Sequence, residues 1–253
     1  ASGQGFTVTA FGKAADAAFL FDSEDGTITG WTPGVDPAHA VLAVDNSDSG
    51  AVYKGLAIGN DGTQSLLYAA NFHSGKVEVY DHDFQLVNRI TDASLPKDYA
   101  PFGVQVLGDH LFVTYAKQDA AGRDDVAGKG HGFVDEFNLD GTLVQRVASH
   151  GPLDSPWGVS LAPESWGALA GDLLVGNFGD GTILAYNLST GTFDGKLRGA
   201  DGAPLHIDGL WGLIPGNGGL GGDPAKIYFT AGVDDEAHGL FGSLAVHTDA
   251  LLA

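Results

Sequence analysis

The chain has 253 residues, 39 of them Gly, and sets 12 Lys and Arg against 32 Asp and Glu for a formal net charge of −20. A field of that sign repels nucleic-acid phosphate and anionic lipid headgroups, so neither nucleic acid nor membrane insertion is expected. No apolar run approaches the ~18 residues that cross a bilayer, and the absence of Cys removes any disulfide framework. Twenty-seven of the acids are Asp and five are Glu, which puts the acidity in turns rather than helices. The sequence begins at Ala1 with neither Met nor leader, as expected of a processed or trimmed product.

Taken in chain order, the elements repeat. A Gly followed by a core residue opens an apolar run at Gly5-Phe6, Gly55-Leu56, Gly103-Val104, Gly158-Val159 and Gly212-Leu213, at spacings of 50, 48, 55 and 54 residues. A second run rich in β-formers follows each: Ala18-Phe19-Leu20-Phe21, Leu66-Leu67-Tyr68-Ala69, Leu111-Phe112-Val113-Thr114-Tyr115, Leu173-Leu174-Val175-Gly176 and Ile227-Tyr228-Phe229-Thr230. In three copies a tight turn then leads into a β-branched strand, at Asp25-Gly26-Thr27-Ile28, Ser74-Gly75-Lys76-Val77 and Asp180-Gly181-Thr182-Ile183. Gly supplies the positive φ that such hairpins need. The other two copies carry insertions, at 117–131 and 233–238, and a weaker fourth strand follows most copies, as at Val41-Leu42-Ala43-Val44.

Four antiparallel strands per repeat of about 50 residues predict an all-β fold, a β-propeller with about five four-stranded blades in a single domain, 1–253. The repeats lie near 5–50, 51–97, 98–152, 153–207 and 208–253. Only 41 residues follow Gly212, so the last blade is expected to be incomplete. The fold is then a five-bladed ring with imperfect closure or a six-bladed one lacking its first blade. An open strand edge on the last blade invites a partner strand or a homo-oligomer.

Seven ordered motifs between about residues 6 and 244 carry a resemblance. They include Phe-Leu-Phe-Asp-Ser-Glu-Asp-Gly-Thr-Ile-Thr-Gly-Trp at 19–31, Ser-Pro-Trp-Gly at 155–158 and Leu-Leu-Val-Gly-Asn-Phe-Gly-Asp-Gly-Thr-Ile at 173–183, with 53–58, 115–119, 207–211 and 236–242. The chain resembles a family of uncharacterised secreted bacterial β-propeller proteins, some of which carry a PEP-CTERM sorting tail. The resemblance implies an exported protein, extracellular or periplasmic, and a further upstream blade in the family pattern. It brings no activity and no catalytic residues.

Alternating strand direction sends the second-to-third strand loops and the blade-to-blade loops to one face. That face collects carboxylates, Asn and His, and the residues before the repeated Gly, namely Lys54, Phe102, Trp157 and Trp211, are expected to rim it as a small-molecule or glycan site. Three readings of its polar groups stand beside turn chemistry and solvation. His73, His131 and His238 occupy equivalent loops, and neutral imidazole suits a transition metal. Asn71 and Asn177, with Asp22 or Glu24, offer an all-oxygen shell for calcium, and Asp180 is a further candidate metal ligand, though Asn and Asp also hydrogen-bond their own turns. Glu236 and His238 form a candidate acid/base pair, or a plain surface ion pair. Trp157 and Trp211 suit stacking on a sugar or cation, or wedging between blades.

No Gly-x-Ser-x-Gly, Ser/His/Asp order, phosphate-cradling loop or EF-hand spacing is present, so no nucleotide cofactor is expected. The reading is a secreted propeller that binds a ligand through a divalent cation. The alternatives are a metal-dependent hydrolase or lactonase, and an extracellular assembly scaffold.

Overall fold

Strands form wherever a β-branched or aromatic run is closed off by a Gly-containing turn, and the computed structural model, which describes residues 4–246, has twenty of them and no α-helix among the described residues. Among the described residues no helix is long and apolar enough to cross a membrane. The first two strands, β1 (Thr7–Ala10) and β2 (Lys13–Asp16), form a separate two-stranded ribbon. Five antiparallel sheets follow, built in strict chain order. They are β3 (Phe19–Asp22), β4 (Thr27–Trp31) and β5 (Val41–Asp45); β6 (Tyr53–Asn60), β7 (Ser65–Asn71), β8 (Lys76–Tyr80) and β9 (Leu86–Ile90); β10 (Tyr99–Leu107), β11 (His110–Lys117), β12 (Gly132–Asn138) and β13 (Leu143–Ser149); β14 (Pro156–Leu161), β15 (Leu173–Asn177), β16 (Ile183–Asn187) and β17 (Thr192–Lys196); and β18 (Leu210–Pro215), β19 (Ile227–Val233) and β20 (His238–Leu244).

These five sheets are the blades of a β-propeller. Second strands are buried along their whole length in the second and fourth blades, which is why they read as unbroken apolar runs rather than alternating ones. Contacts along the chain define two compact units: residues up to Val126 with Asp135–Gln145, and Ala127–Val134 with residues from Arg146 on. The first has a core of Phe6, Ile28, Ala51, Tyr53, Leu67, Ala69 and Tyr80. In the second, Trp166, Leu174, Ile183, Leu210, Leu213, Ile227 and Phe229 belong to one buried cluster.

The repeated Gly has a defined structural role. Register shifts between Tyr53 and Leu56, Pro101 and Val104, Pro156 and Val159, and Leu210 and Leu213 leave two residues of the first strand opposite one of the second. Each is a β-bulge, occupied by Lys54-Gly55, Phe102-Gly103, Trp157-Gly158 and Trp211-Gly212. A side chain on Gly55 would put its Cβ 2.8 Å from the Val104 backbone N, and one on Gly158 would stand 2.9 Å from that of Leu213. Gly therefore lets adjacent first strands pack backbone against backbone.

The first copy departs from the expected pattern. Its Gly5-Phe6 strand does not join the β3 sheet along its length but folds back at Phe11 and Gly12, both at positive φ, to pair with β2. Val8 and Ala17 then bury against Val35. The last sheet has three strands among the described residues, as the short last copy suggested; residues 247–253 of that copy and 1–3 of the first lie outside the described residues.

Candidate functional site

In the first unit the bulge at Lys54 anchors a charged cluster. The Lys54 side chain is only 7% exposed, and its ammonium lies 5.8 Å from the Phe72 ring centre and 6.0 Å from that of Phe102. Aromatic faces attract a cation held at such distances. Two loop carboxylates complete the shell: Glu24 accepts a hydrogen bond from Nζ, and Asp124 Oδ1 lies 3.5 Å away. Phe72 and Phe102 pack with centroids 5.4 Å apart.

The insertion that carries Asp124 is itself built from turns. Gln118 and Asp125 bridge across it, and Asp119 Oδ1 accepts the Arg123 N–H at 2.9 Å. Asp22, at the end of β3, is a half-buried residue whose Oδ2 is covered and has no hydrogen-bond partner. Burial pushes its pKa up to about 7.

In the second unit the bulge residues Trp157 and Trp211 meet edge to face, centroids 4.5 Å apart, and Phe178 lies 4.3 Å from Trp211 on a tilted plane. All three rings are half-buried. Trp211 Nε1 donates to Glu236 Oε1 at 2.8 Å. Glu236 sits in a turn where Asp234, Asp235 and Glu236 all take positive φ, a conformation that non-Gly residues rarely adopt. The same turn brings Asp234 Oδ2 3.3 Å from His238 Nδ1, with both side chains largely exposed. The backbone N–H of Asp234 donates to Asp208 Oδ2 at 3.3 Å.

The remaining sequence candidates separate. In the first unit, Asn71 is buried and its Oδ1 accepts the N–H groups of Val52 and Ser74 at 3.4 and 3.1 Å. His73 is exposed beside Gly50 and Gly122. In the second unit, Asn177 is buried, its Oδ1 accepts the Asp154 N–H at 3.1 Å, and its amide donates to Pro152 O and Asp180 Oδ1, both at 3.0 Å. Asp180 Oδ2 faces Lys196 Nζ at 3.2 Å.

Burial alone would raise the Asp180 pKa. The hydrogen bonds from Thr182, Asn177 and Lys196 outweigh it and hold the group below the ordinary carboxylate range. His131, half-buried, bridges to Asp154 through its backbone.

These Asn and Asp atoms therefore serve the hairpin turns and the approach to each first strand. Among the described residues no three His, Asp or Glu side chains gather around one point. Phe72 and Phe178 were missed as site residues. Their signal was the recurring Asn-Phe pair at 71–72 and 177–178, which reads as an ordinary strand end.

No family model matches the chain. It is 37% identical over 235 residues to an uncharacterised protein of Acanthamoeba polyphaga mimivirus, a match covering 89% of this chain and 56% of that protein. A second uncharacterised mimivirus protein is 34% identical over 251 residues, covering 96% and 65%. The chain thus spans 56% to 65% of the length of these curated relatives. They are viral, where the motifs resembled a bacterial family; neither the bacterial affiliation nor the sorting tail is carried by these matches, whereas the propeller fold is supported.

Among solved structures, a gluconolactonase from Xanthomonas campestris superposes with a TM-score of 0.57 at 18% identity, over 89% of this chain and 71% of that one. Virginiamycin B lyase from Staphylococcus aureus gives 0.56 at 13%, over 96% and 74%. At these identities the likeness is one of fold.

Proposed function

We propose that the chain is a ligand-binding β-propeller whose ligand, a glycan or other small molecule, lies against Trp157, Phe178 and Trp211 with Glu236 as the polar contact. The observation that carries this reading is the hydrogen bond from Trp211 Nε1 to Glu236 Oε1 beside three half-buried rings. Apolar faces supply contact area, and a fixed carboxylate orients a hydroxyl or cationic group. Titrating a saccharide and small-molecule panel while following Trp emission tests it. A saturable change that Trp211→Ala abolishes is expected; a flat response across the panel overturns it.

A second reading, a metal-dependent hydrolase or lactonase, is favoured by the His238–Asp234 pair beside Glu236. The fold it shares with a gluconolactonase is consistent with this reading. His238 is then the group that moves a proton, oriented by Asp234. Turnover of a lactone and ester panel, lost in His238→Ala, is the result it requires. The divalent cation, calcium or a transition metal, is a separable proposal, decided by elemental analysis of protein purified without chelator. Secretion is likewise proposed from the resemblance, and fractionation of expressing cells tests it.

A further inference from the structure

Asp172 directly precedes β15, at the end of that strand opposite Asn177, and is 2% exposed. Its Oδ1 receives the Asn187 amide at 3.4 Å, while Oδ2 is fully covered and has no hydrogen-bond partner. The group it faces is another acid: Asp194 on β17 stands within hydrogen-bonding reach. Two carboxyl groups thus stand side by side, and Asp172 Oδ2 receives no N–H or O–H donor among the described residues. Burial first, and the Asp194 charge second, hold the Asp172 pKa above the ordinary range.

Lys196, two residues along β17, does not neutralise the pair, because its ammonium is spent on Asp180 and Thr182, each at 3.2 Å. Asp194 keeps Oδ1 on the Thr192 hydroxyl at 3.1 Å and is exposed to solvent. The two carboxyl groups offer hard oxygen ligands.

We propose that Asp172 and Asp194 bind a divalent cation of the calcium class, which bridges the two carboxylates and takes its remaining ligands from water on the Asp194 side. Oxygen-only donors, an open hydration side and uncompensated negative charge are what calcium selects for. The cation ties β15 to β17 across β16 and acts as a structural staple. Five residues of strand, about 16 Å, separate Asp172 from Asn177, with Phe178 beyond it, so the site stands or falls independently of ligand binding at the aromatic surface.

The experiment is thermal unfolding of the full chain, stripped with EGTA and then titrated with calcium chloride at neutral pH, with calorimetric titration giving the stoichiometry. The wild type is expected to gain several degrees in Tm with one calcium bound, as mass action on a folded-state site requires. Asp194→Asn, at an exposed position, removes that gain. Asp172→Asn removes it too, but in EGTA melts above the wild type, since its amide donates to Asp194. An unchanged Tm up to about 10 mM calcium, the weak end for such sites, overturns the proposal. If Tm in EGTA then rises as pH falls from about 7 to 5, the pair shares a proton instead. A calcium response that survives in both variants also overturns it.

Discussion

Trp211 and Glu236 lie 25 positions apart on β18 and in the β19–β20 turn, and the indole N–H of one closes on the carboxylate of the other at 2.8 Å. The bond fixes a strained turn, because Glu236 and the two residues before it are left-handed. Glu236→Gln keeps an acceptor and is expected to leave stability within about 0.5 kcal/mol, whereas Glu236→Ala loses about 1–2 kcal/mol in urea unfolding. Equal losses in both variants would mean that charge, not acceptance of the N–H, holds the turn.

The bulge glycines predict a sharp contrast. Gly55→Ala and Gly158→Ala drive a Cβ into the backbone of the adjacent first strand and are expected to cost about 3 kcal/mol each. Gly239→Ala, on β20 with open space around it, should be neutral or slightly stabilising. Denaturant midpoints of the three variants check this directly.

Asp22 sets a pH dependence. Its folded pKa of about 7 exceeds the ordinary 3.8, so between those values the folded chain holds a proton that the unfolded chain has released. Stability therefore falls as pH rises through that window, by up to about 3–4 kcal/mol, and the loss is complete above the folded pKa. Asp22→Asn has no group to ionise. It should melt above the wild type at pH about 8, and the gain should vanish near pH 4; a constant difference across the range would show that burial of this carboxyl is not the cause.

Lys54 ties two loops to one strand. Lys54→Met retains the aliphatic stem over Phe72 and Phe102 but loses both ion pairs, with Glu24 and Asp124. Hydrogen exchange across residues 119–125 is expected to quicken several-fold while β6 and β10 stay protected. Unchanged exchange in that loop would show that its own turns, not Lys54, order it.

The blades were legible because Gly recurs where a bulge needs it, so Lys54, Phe102, Trp157 and Trp211 could be paired from sequence before any strand was seen. What the sequence hid was sideways. Phe72 and Phe178 become ring partners only because the strand that ends just before each brings it beside a bulge. Asp172 and Asp194 are separated by a whole strand, and no period links them. The first copy misled for a local reason: Phe11 and Gly12 make a tight turn that pairs β1 with β2, and its opening Gly resembled the others. His73, His131 and His238 share a place in the repeat, yet their neighbours differ: His73 lies beside Gly50 and Gly122, His131 bridges to Asp154, and His238 faces Asp234.

The bulge also separates two kinds of freedom. At Gly55 and Gly158 its second position is held to glycine by the backbone beside it, while its first holds Lys, Phe, Trp and Trp in successive blades on the same local register shift. At Trp157 and Trp211, where that first position is half-buried, mutation rewrites what the surface presents while the glycine beside it stays in place. A chain built this way can diversify its chemistry one blade at a time, each copy a sheltered trial of a different side chain on a frame that the other copies keep intact.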